Sequence, residues 1–337
     1  MQQARYSVSP SGILASLRLL ESRGVDLRLL QERWGFPLAT LDQPYLRLPA
    51  FLSRRFWEVA AELDSDPSLG LAAARPADLG QMLGVSYLMQ LMPSRLQALE
   101  TLQRYWPLVT AHIALPMERQ GDQVRLGLVA TAPILPTQLE LDYWCARQIY
   151  HLRSWVCAPD PLLEVHFRRP PPADSGPWER LAGRPVYFAA ERDELVLDYA
   201  ALSHRRLAGI ASVRQALEDA LEDYARQTLD GNLLELVSST VLQELHRGLS
   251  LETLAERLHM TPRTLHRALL RDGWKFSDLI DIHRRYLTRD LLQHSDASIA
   301  EIADALGYGE VNSLIRAIRR WYDSTPGALR ETALELG

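Results

Sequence analysis

Apolar residues fall at three- and four-residue spacing over residues 10–24 (Ile13, Leu17, Leu20) and 26–35 (Leu27, Leu30, Trp34), and each run is stopped by glycine. That period puts them on one face of a helix. Residues 49–63, 78–92 and 93–113 continue the helical pattern, with Ser94 as the cap of the last. The period changes after Pro116: residues 124–129 alternate polar and apolar side chains, residues 114–117 form the opposing arm, and Gly121-Asp122 marks a hairpin turn between them. An apolar helix over 137–156 follows, then a strand over 162–168, a turn at Pro170-Pro171-Pro172, and short strands near 186–189 and 194–198. From Arg205 onward the pattern is helical. The fold class read from this is an α+β N-terminal domain, mostly helical with a small sheet, followed by an all-α C-terminal domain. The first spans 1–227, a linker spans 228–232 where Asp230-Gly231-Asn232 breaks the pattern, and the second spans 233–337.

Within the second domain, Leu251, Leu254, Ala255 and Leu258 share one face of a two-turn helix, His259-Met260 forms a tight turn, and Thr261-Pro262 restarts a helix with a hydroxyl cap followed by proline. The new helix buries Leu265, Ala268 and Leu269 and turns Arg263, His266, Arg267 and Arg271 outward. This is helix-turn-helix grammar over about 251–272. It recurs over about 298–322, with a helix at 299–306, a turn at Gly307-Tyr308-Gly309 and a helix at 310–322 that exposes Asn312, Ser313, Arg316, Arg319 and Arg320. A connecting helix over 276–294 joins the two and measures about 28 Å at ~1.5 Å per residue. One such match alone is weak; two in tandem across a continuous helix carry the reading.

Composition bounds the function. With 337 residues, 47% hydrophobic and 23% charged, the chain has the makeup of a well-cored two-domain protein and not of a disordered or fibrous one. The longest uncharged stretch, 79–94, is broken by Gln81, Ser86, Gln90 and Pro93, so no membrane helix is expected, and residues 1–6 carry no secretory signal. Cys145 and Cys157 form neither a disulfide framework nor a metal pair; they read as buried thiols in a reducing compartment, hence a cytoplasmic location. The histidines show no metal-ligand spacing, and there is no phosphate-binding glycine loop, nucleophile elbow or H-E-x-x-H site. No catalytic residue, metal or cofactor is expected. The net charge of −5 argues against indiscriminate coating of nucleic acid. Locally the charge is partitioned: residues 250–337 sum to −1, yet 261–275 and 311–322 each carry +3, which concentrates positive potential on the two outward-facing helices. Lys275 is the only lysine among 37 basic residues. Guanidinium forks suit phosphates and guanine edges, although genomic base composition alone would also produce this bias.

Residues 250–330 resemble the DNA-binding domain of the AraC/XylS family of bacterial transcription regulators. The resemblance is carried by Leu254-Ala255, Met260-Thr261-Pro262-Arg263-Thr264-Leu265-His266-Arg267, Asp272-Gly273 with Phe276, Ile299-Ala300-Glu301-Ile302-Ala303, Leu306-Gly307-Tyr308, Arg316-Ala317, Arg320-Trp321 and Thr325-Pro326. Leu314 and Ile318 stand where the family has phenylalanines, Thr288 where alanine is usual, and Gly309 where a serine commonly caps the second recognition helix. Residues 11–225 resemble, more loosely, the helical arabinose-binding-type regulatory domain of one subgroup, on Leu163-Glu164-Val165-His166-Phe167 and Arg184-Pro185-Val186-Tyr187-Phe188. The resemblance implies an effector-responsive activator with an N-terminal regulatory domain. Its implied partners are double-stranded DNA, an unknown small-molecule effector, a second copy of the chain as homodimer, and RNA polymerase. It does not make arabinose the ligand.

Motif correspondence assigns Arg263, His266 and Arg267 to base edges in one major groove and Val311, Asn312 and Arg316 to base edges in the next, with Thr264, Arg271, Ser313, Arg319 and Arg320 on phosphates. Adjacent major-groove faces repeat every ~34 Å, so a ~28 Å spacer calls for bent DNA. The alternative for the arginines is a solvated face with intrahelical ion pairs. Tyr308 and Trp321 read as packing aromatics. The 137–156 helix carries Tyr143, Trp144, Tyr150 and Trp155; it is either a central core helix or, with Arg147 or His151 as polar anchor, the lining of an effector pocket. Two other function classes stand beside this one. A DNA-repair methyltransferase-like enzyme would use the same DNA-binding domain, but needs a cysteine-rich metal module that two distant cysteines cannot supply. A protein-interaction module would make no DNA contact.

Overall fold

A computed structural model describes residues 6–43, 45–74, 82–155, 159–205, 208–229 and 233–336. The chain divides into two compact units, Ser7–Ala132 with Pro136–Gly231, and Asn232–Gly337 with Met1–Tyr6 and Pro133–Leu135. Several expectations fall outside the described residues: 230–232 of the linker, the start of the 78–92 helix, the last residue of the 137–156 helix, Cys157 and residues 1–5. Thr228 and Leu229, read as linker, close a helix.

The first unit begins with β1 (Ser7–Val8), α1 (Ser11–Ser22), α2 (Leu27–Trp34), β2 (Leu48–Pro49), α3 (Ala50–Leu63), α4 (Leu69–Ala73), α5 (Val85–Gln90) and α6 (Arg95–Val109). Ser94 caps α6 by accepting the Gln97 N–H at 3.2 Å. This helix stops earlier than the pattern predicts, because Thr110 is extended and the Trp106 indole folds back onto the Ile113 carbonyl at 2.6 Å. Next come β3 (Ile113–Ala114), β4 (Met117–Gln120), β5 (Gln123–Gly127), β6 (Val129–Ala130), α7 (Gln138–Arg153), β7 (Leu162–His166), α8 (Gly176–Ala182), β8 (Val186–Tyr187), β9 (Glu194–Asp198), α9 (Tyr199–Ser203) and α10 (Ala211–Leu229).

The hairpin turn at Gly121 is where the sequence puts it, but the arms differ. Residues 118–120 are strand, paired Met117 to Leu126 and Gln120 to Gln123. The expected 124–129 strand is two strands, since the Gly127 N–H turns to Pro116 and the Leu128 N–H to Asp193. The main sheet runs β4-β5-β9-β7-β8, antiparallel except for the β7–β8 pair. Helix α7 is central: Leu141, Cys145, Ala146, Ile149 and Leu152 are buried, and α4 crosses it so closely that a Cβ on Gly70 would overlap the Leu139 carbonyl. The loop before α8 is tied to the same helix, with Arg169 on Asp142 at 2.8 Å and the Trp178 indole on its other oxygen at 3.1 Å. Desolvation outweighs these partners and pushes Asp142 up to about 7.

The second unit is α11 (Leu233–Glu244), α12 (Leu251–Arg257), α13 (Pro262–Arg271), α14 (Phe276–His294), α15 (Ile299–Ala305), α16 (Val311–Tyr322) and α17 (Pro326–Leu336). Leu254, Ala255, Leu265, Leu269, Leu279, Ile302, Ala303, Leu314 and Ile318 form its core, while Ala268, expected inside, is half-buried. The two short helices share one construction. Each opens with a capping box, Ser250 with Thr253 and Ser298 with Glu301. Each ends in paired backbone bonds that close a left-handed turn: Met260 N–H to Ala255 and His259 N–H to Glu256 in one, Tyr308 N–H to Ala303 and Gly307 N–H to Asp304 in the other. The left-handed residue is His259 (φ 53°) in the first and Gly307 (φ 68°) in the second.

Gly307 is required twice over. Its φ disfavours a side chain, and a Cβ there would press into the Leu245 carbonyl oxygen. Gly309 has open space and no left-handed backbone. Gly307→Ala should therefore destabilise the second unit by about 2 to 4 kcal/mol, whereas Gly309→Ala should stay within about 0.5 kcal/mol. Amide exchange of α15 in the full chain measures both; equal protection in the two variants would refute the close-approach account.

Candidate nucleic-acid interface

Helix α13 is set by its ends. Thr261 accepts the Thr264 N–H at 3.2 Å, and Pro262 occupies the first helical position. Leu265 and Leu269 anchor it at 0% exposure, so residues out of phase with them face solvent. Those are Arg263, Thr264, His266, Arg267, Leu270 and Arg271. Leu270, 45% exposed, was not read from the sequence as part of this face. Its only signal is an apolar residue one step beyond the buried Leu269. On α16, Leu314, Ala317 and Ile318 point inward and Val311, Asn312, Arg316, Arg319 and Arg320 outward, with Ser313 half-buried. The residue before this helix is Glu310, and no side chain caps it; Gly309, expected in that role, lies one position too early. The cause is the turn, which spends Gly307 and Tyr308 closing α15 and leaves Glu310 as the extended residue that opens α16.

The outward arginines differ in what holds them. Arg271 pairs with Asp272 at 3.2 Å, Arg316 donates to Ser313 Oγ at 3.0 Å, and Arg320 reaches Asp281 at 2.5 Å. Arg263, His266, Arg267 and Arg319 make no side-chain hydrogen bond or ion pair among the described residues. Arg271 thus has an ion pair beside it, while the other four side chains stand exposed to solvent.

Helix α14 ties the second head directly, and helix α11, which packs on α13, on its other side. Toward α11, buried His283 donates from Nδ1 to the Leu279 carbonyl at 2.6 Å, leaving Nε2 to accept from Ser238 at 2.7 Å. Burial pushes His283 down to about 4, which keeps it neutral. Toward the second, Arg284 donates to the Leu306 and Gly307 carbonyls, both at 2.9 Å, with its guanidinium 4.4 Å from the Tyr308 ring. It thereby satisfies carbonyls that the end of α15 leaves without helical partners. One turn earlier, Asp281 accepts from Arg320 and, at 2.8 Å, from the Trp321 indole. Tyr308 and Trp321 are thus packing aromatics. Sequence reasoning missed Asp281, His283 and Arg284, because the α14 pattern shows only which face is apolar.

The effector candidates all lie on α7. Trp144, Arg147 and His151 are buried along one side, with Trp144 edge-on to Trp106 at 4.9 Å. Tyr143 is buried too, edge-on to Trp144 at 4.8 Å and against Trp57 at 5.6 Å, and Tyr150 is half-buried. Among the described residues no group of three or more His, Cys, Asp or Glu side chains is placed to hold a metal ion, and no helix is long and apolar enough to cross a membrane.

Two helix-turn-helix units on one connecting helix are the architecture of a DNA-binding transcription regulator. Residues 24–205 match the family model described as the arabinose-binding domain of the AraC transcription regulator, and residues 254–332 match a helix-turn-helix domain model. The first match spans more than half of the chain, and the chain belongs to the AraC family of transcription regulators. It is 28% identical to the HTH-type transcriptional regulator VirS of Mycobacterium tuberculosis over 93% of both chains. It is 24% identical to the ornithine utilization regulator of Pseudomonas aeruginosa over 94% of both. The crystal structure of the regulator CdpR from Pseudomonas aeruginosa aligns over 90% of this chain and 97% of that one, at 21% identity and a TM-score of 0.42.

Loss of the Arg284 contacts leaves two helix-end carbonyls without their cation. Arg284→Ala should destabilise the second head by about 2 kcal/mol, read as faster amide exchange over α15 and α16 with α12 and α13 less affected; uniform acceleration would count against a local clamp. The pH response of α14 has a definite sign. His283, depressed when folded, binds fewer protons there than in the unfolded chain, so its contribution is complete above about 6.5 and is lost as pH falls toward about 4. Protection of α14 should decline across that window and decline less in His283→Gln.

Proposed function

We propose that this chain is an effector-responsive activator whose single subunit reads two adjacent major grooves on one face of bent DNA. The observation that carries the reading is the pair of outward helices, α13 and α16, on either side of the connecting α14, with Arg263, His266, Arg267 and Arg319 exposed and making no side-chain hydrogen bond or ion pair among the described residues. A 19-residue α14 spans about 28 Å, short of the ~34 Å groove repeat, so engaging both grooves favours bending toward the protein.

Arg263, His266 and Arg267 read bases in one groove, donating to guanine O6 and N7 where guanine is present. Asn312 and Arg316 read the other, with Val311 against a thymine methyl. Thr264, Arg271, Ser313, Arg319 and Arg320 hold phosphates, Arg320 sharing its guanidinium with Asp281. The sensing domain spans 1–227 and the DNA-binding domain 233–337. The working unit is a homodimer acting in the cytoplasm on promoters, with RNA polymerase as its target. Its role is binding and not catalysis: Cys145 is fully buried and its thiol is pushed well up by desolvation, the opposite of what an alkyl-accepting thiolate needs.

Mobility-shift titration on the promoter adjoining the gene tests the reading. Arg267→Ala should cost about 1 to 3 kcal/mol and flatten base preference at one position, whereas Arg319→Ala should weaken every sequence alike and reduce the salt slope by about one. If Arg267→Ala leaves affinity and preference intact, the base-contact assignment is wrong.

A further inference from the structure

Among the buried polar atoms of helix α7 that no protein group takes up are the indole N–H of Trp144, both amide atoms of Gln148 and Nδ1 of His151; one turn before Trp144, Glu140 also has an unmatched Oε2, its Oε1 being held by Ser53 and His112. Gln148 is 0% exposed and Trp144 and His151 are each 2%. These three follow at i, i+4 and i+7, so they line one stripe of the helix about 10 Å long at ~1.5 Å per residue. The stripe is walled by Trp106 beside Trp144, and by Met82 Sδ and Ser86 Oγ at 2.9 and 3.5 Å from His151 Nε2. Native interiors rarely leave buried donors and acceptors unmatched, so three on one helix face call for a polar partner that the chain itself does not supply.

The chemistry of these atoms names their complement. Trp144 only donates. The Gln148 amide donates twice and accepts through its oxygen. His151 is a neutral imidazole, since burial, with the Arg147 guanidinium adding to it, pushes it down to about 3. Arg147, one turn from both Trp144 and His151 and itself buried, places positive potential along the stripe. Donors beside a cation suit a carboxylate, and acceptors beside those donors suit an adjacent donor on the same ligand.

We propose that the stripe Trp144, Gln148 and His151 binds the effector, a small carboxylate bearing a hydrogen-bond donor on its α-carbon, either an α-amino or an α-hydroxy acid. The carboxylate oxygens take the N–H groups of Trp144 and Gln148. The α-substituent donates to the Gln148 oxygen or to His151 Nδ1. Gln148, which the sequence did not single out, is the central residue. The word effector rests on the proposed regulatory function; the binding itself does not.

Thermal unfolding of the full chain tests this with three groups of probes: the L-amino acids, the α-hydroxy acids lactate and malate in both enantiomers, and acetate and propionate, which lack the α-donor. One probe from the first two groups should raise the melting temperature saturably, and acetate should not. Gln148→Leu should weaken that probe about ten-fold or more, the loss expected for a hydrogen bond to a charged group. Without ligand the variant should melt at the wild-type temperature or above, because the substitution deletes unmatched polar atoms. Trp144→Phe keeps the ring, deletes one donor and should weaken the same probe. No response to any amino or hydroxy acid, an equal response to acetate, or unchanged affinity in both variants would overturn the site. DNA binding with and without the probe separates the two claims. A probe that binds through Gln148 yet leaves DNA affinity unchanged supports the site and refutes effector control. A DNA response that survives in both variants refutes the site and leaves effector control standing.

Discussion

The second helix-turn-helix and the helix on which the first one packs are both tied to the side chains of one helix. Helix α14 holds α11 through His283 and Ser238, and the second unit through Arg284 on the Leu306 and Gly307 carbonyls and Asp281 on Arg320 and Trp321. Hydrogen bonds of this kind are directional, so they fix orientation as well as distance. Gly307 adds a backbone contact against Leu245, just before α12, and the turn of the second head is thereby wedged against the entry to the first. On the proposed reading, two recognition helices fitted to one duplex must keep a set separation and a set phase around its axis. A purely apolar seam would supply adhesion without that phase.

The second domain was largely legible because its signals are local. Thr261-Pro262, Ser298 with Glu301, and Gly307 each fix a helix end through chemistry within three residues, and the apolar period names the buried side. The outward face followed as its complement, which is how Arg263, Arg267, Asn312, Arg316 and Arg319 were found. What was not legible is longer in range. Asp281 meets Arg320 across 39 residues and Arg284 meets Leu306 across 22, and no period along α14 reveals such partners. Gly309 was taken for the cap because a serine commonly stands there, but the closing bonds of α15 shift the opening of α16 by one residue.

In the first domain the hairpin was legible and the wider sheet order was not. Met117 opposes Leu126 and Ala114 opposes Val129, as the turn at Gly121 implies, yet no local signal shows that β9 adds between β5 and β7. Helix α7 presents a different limit. Its aromatic spacing fits core and pocket equally well, and Gln148 is one glutamine among many until burial shows that its amide has no protein partner. Periodicity reports which side of a helix is inside. It does not report whether the polar groups carried there are matched.

On the proposed two-groove reading, charge explains why paired heads suit this chain. A protein of net −5 with +3 on each recognition segment gains little from the diffuse phosphate field, because its acidic remainder opposes the same attraction that draws the helices in. Non-specific affinity is held down, and discrimination falls to contacts that only a matched sequence provides. One head on one groove offers few of those. Two heads on a rigid spacer multiply them, since once the first is seated the second binds at high effective concentration and without further loss of overall motion. The spacer must then be stiff, and Asp281, His283 and Arg284, within one turn of each other in its first half, hydrogen-bond it to its neighbours.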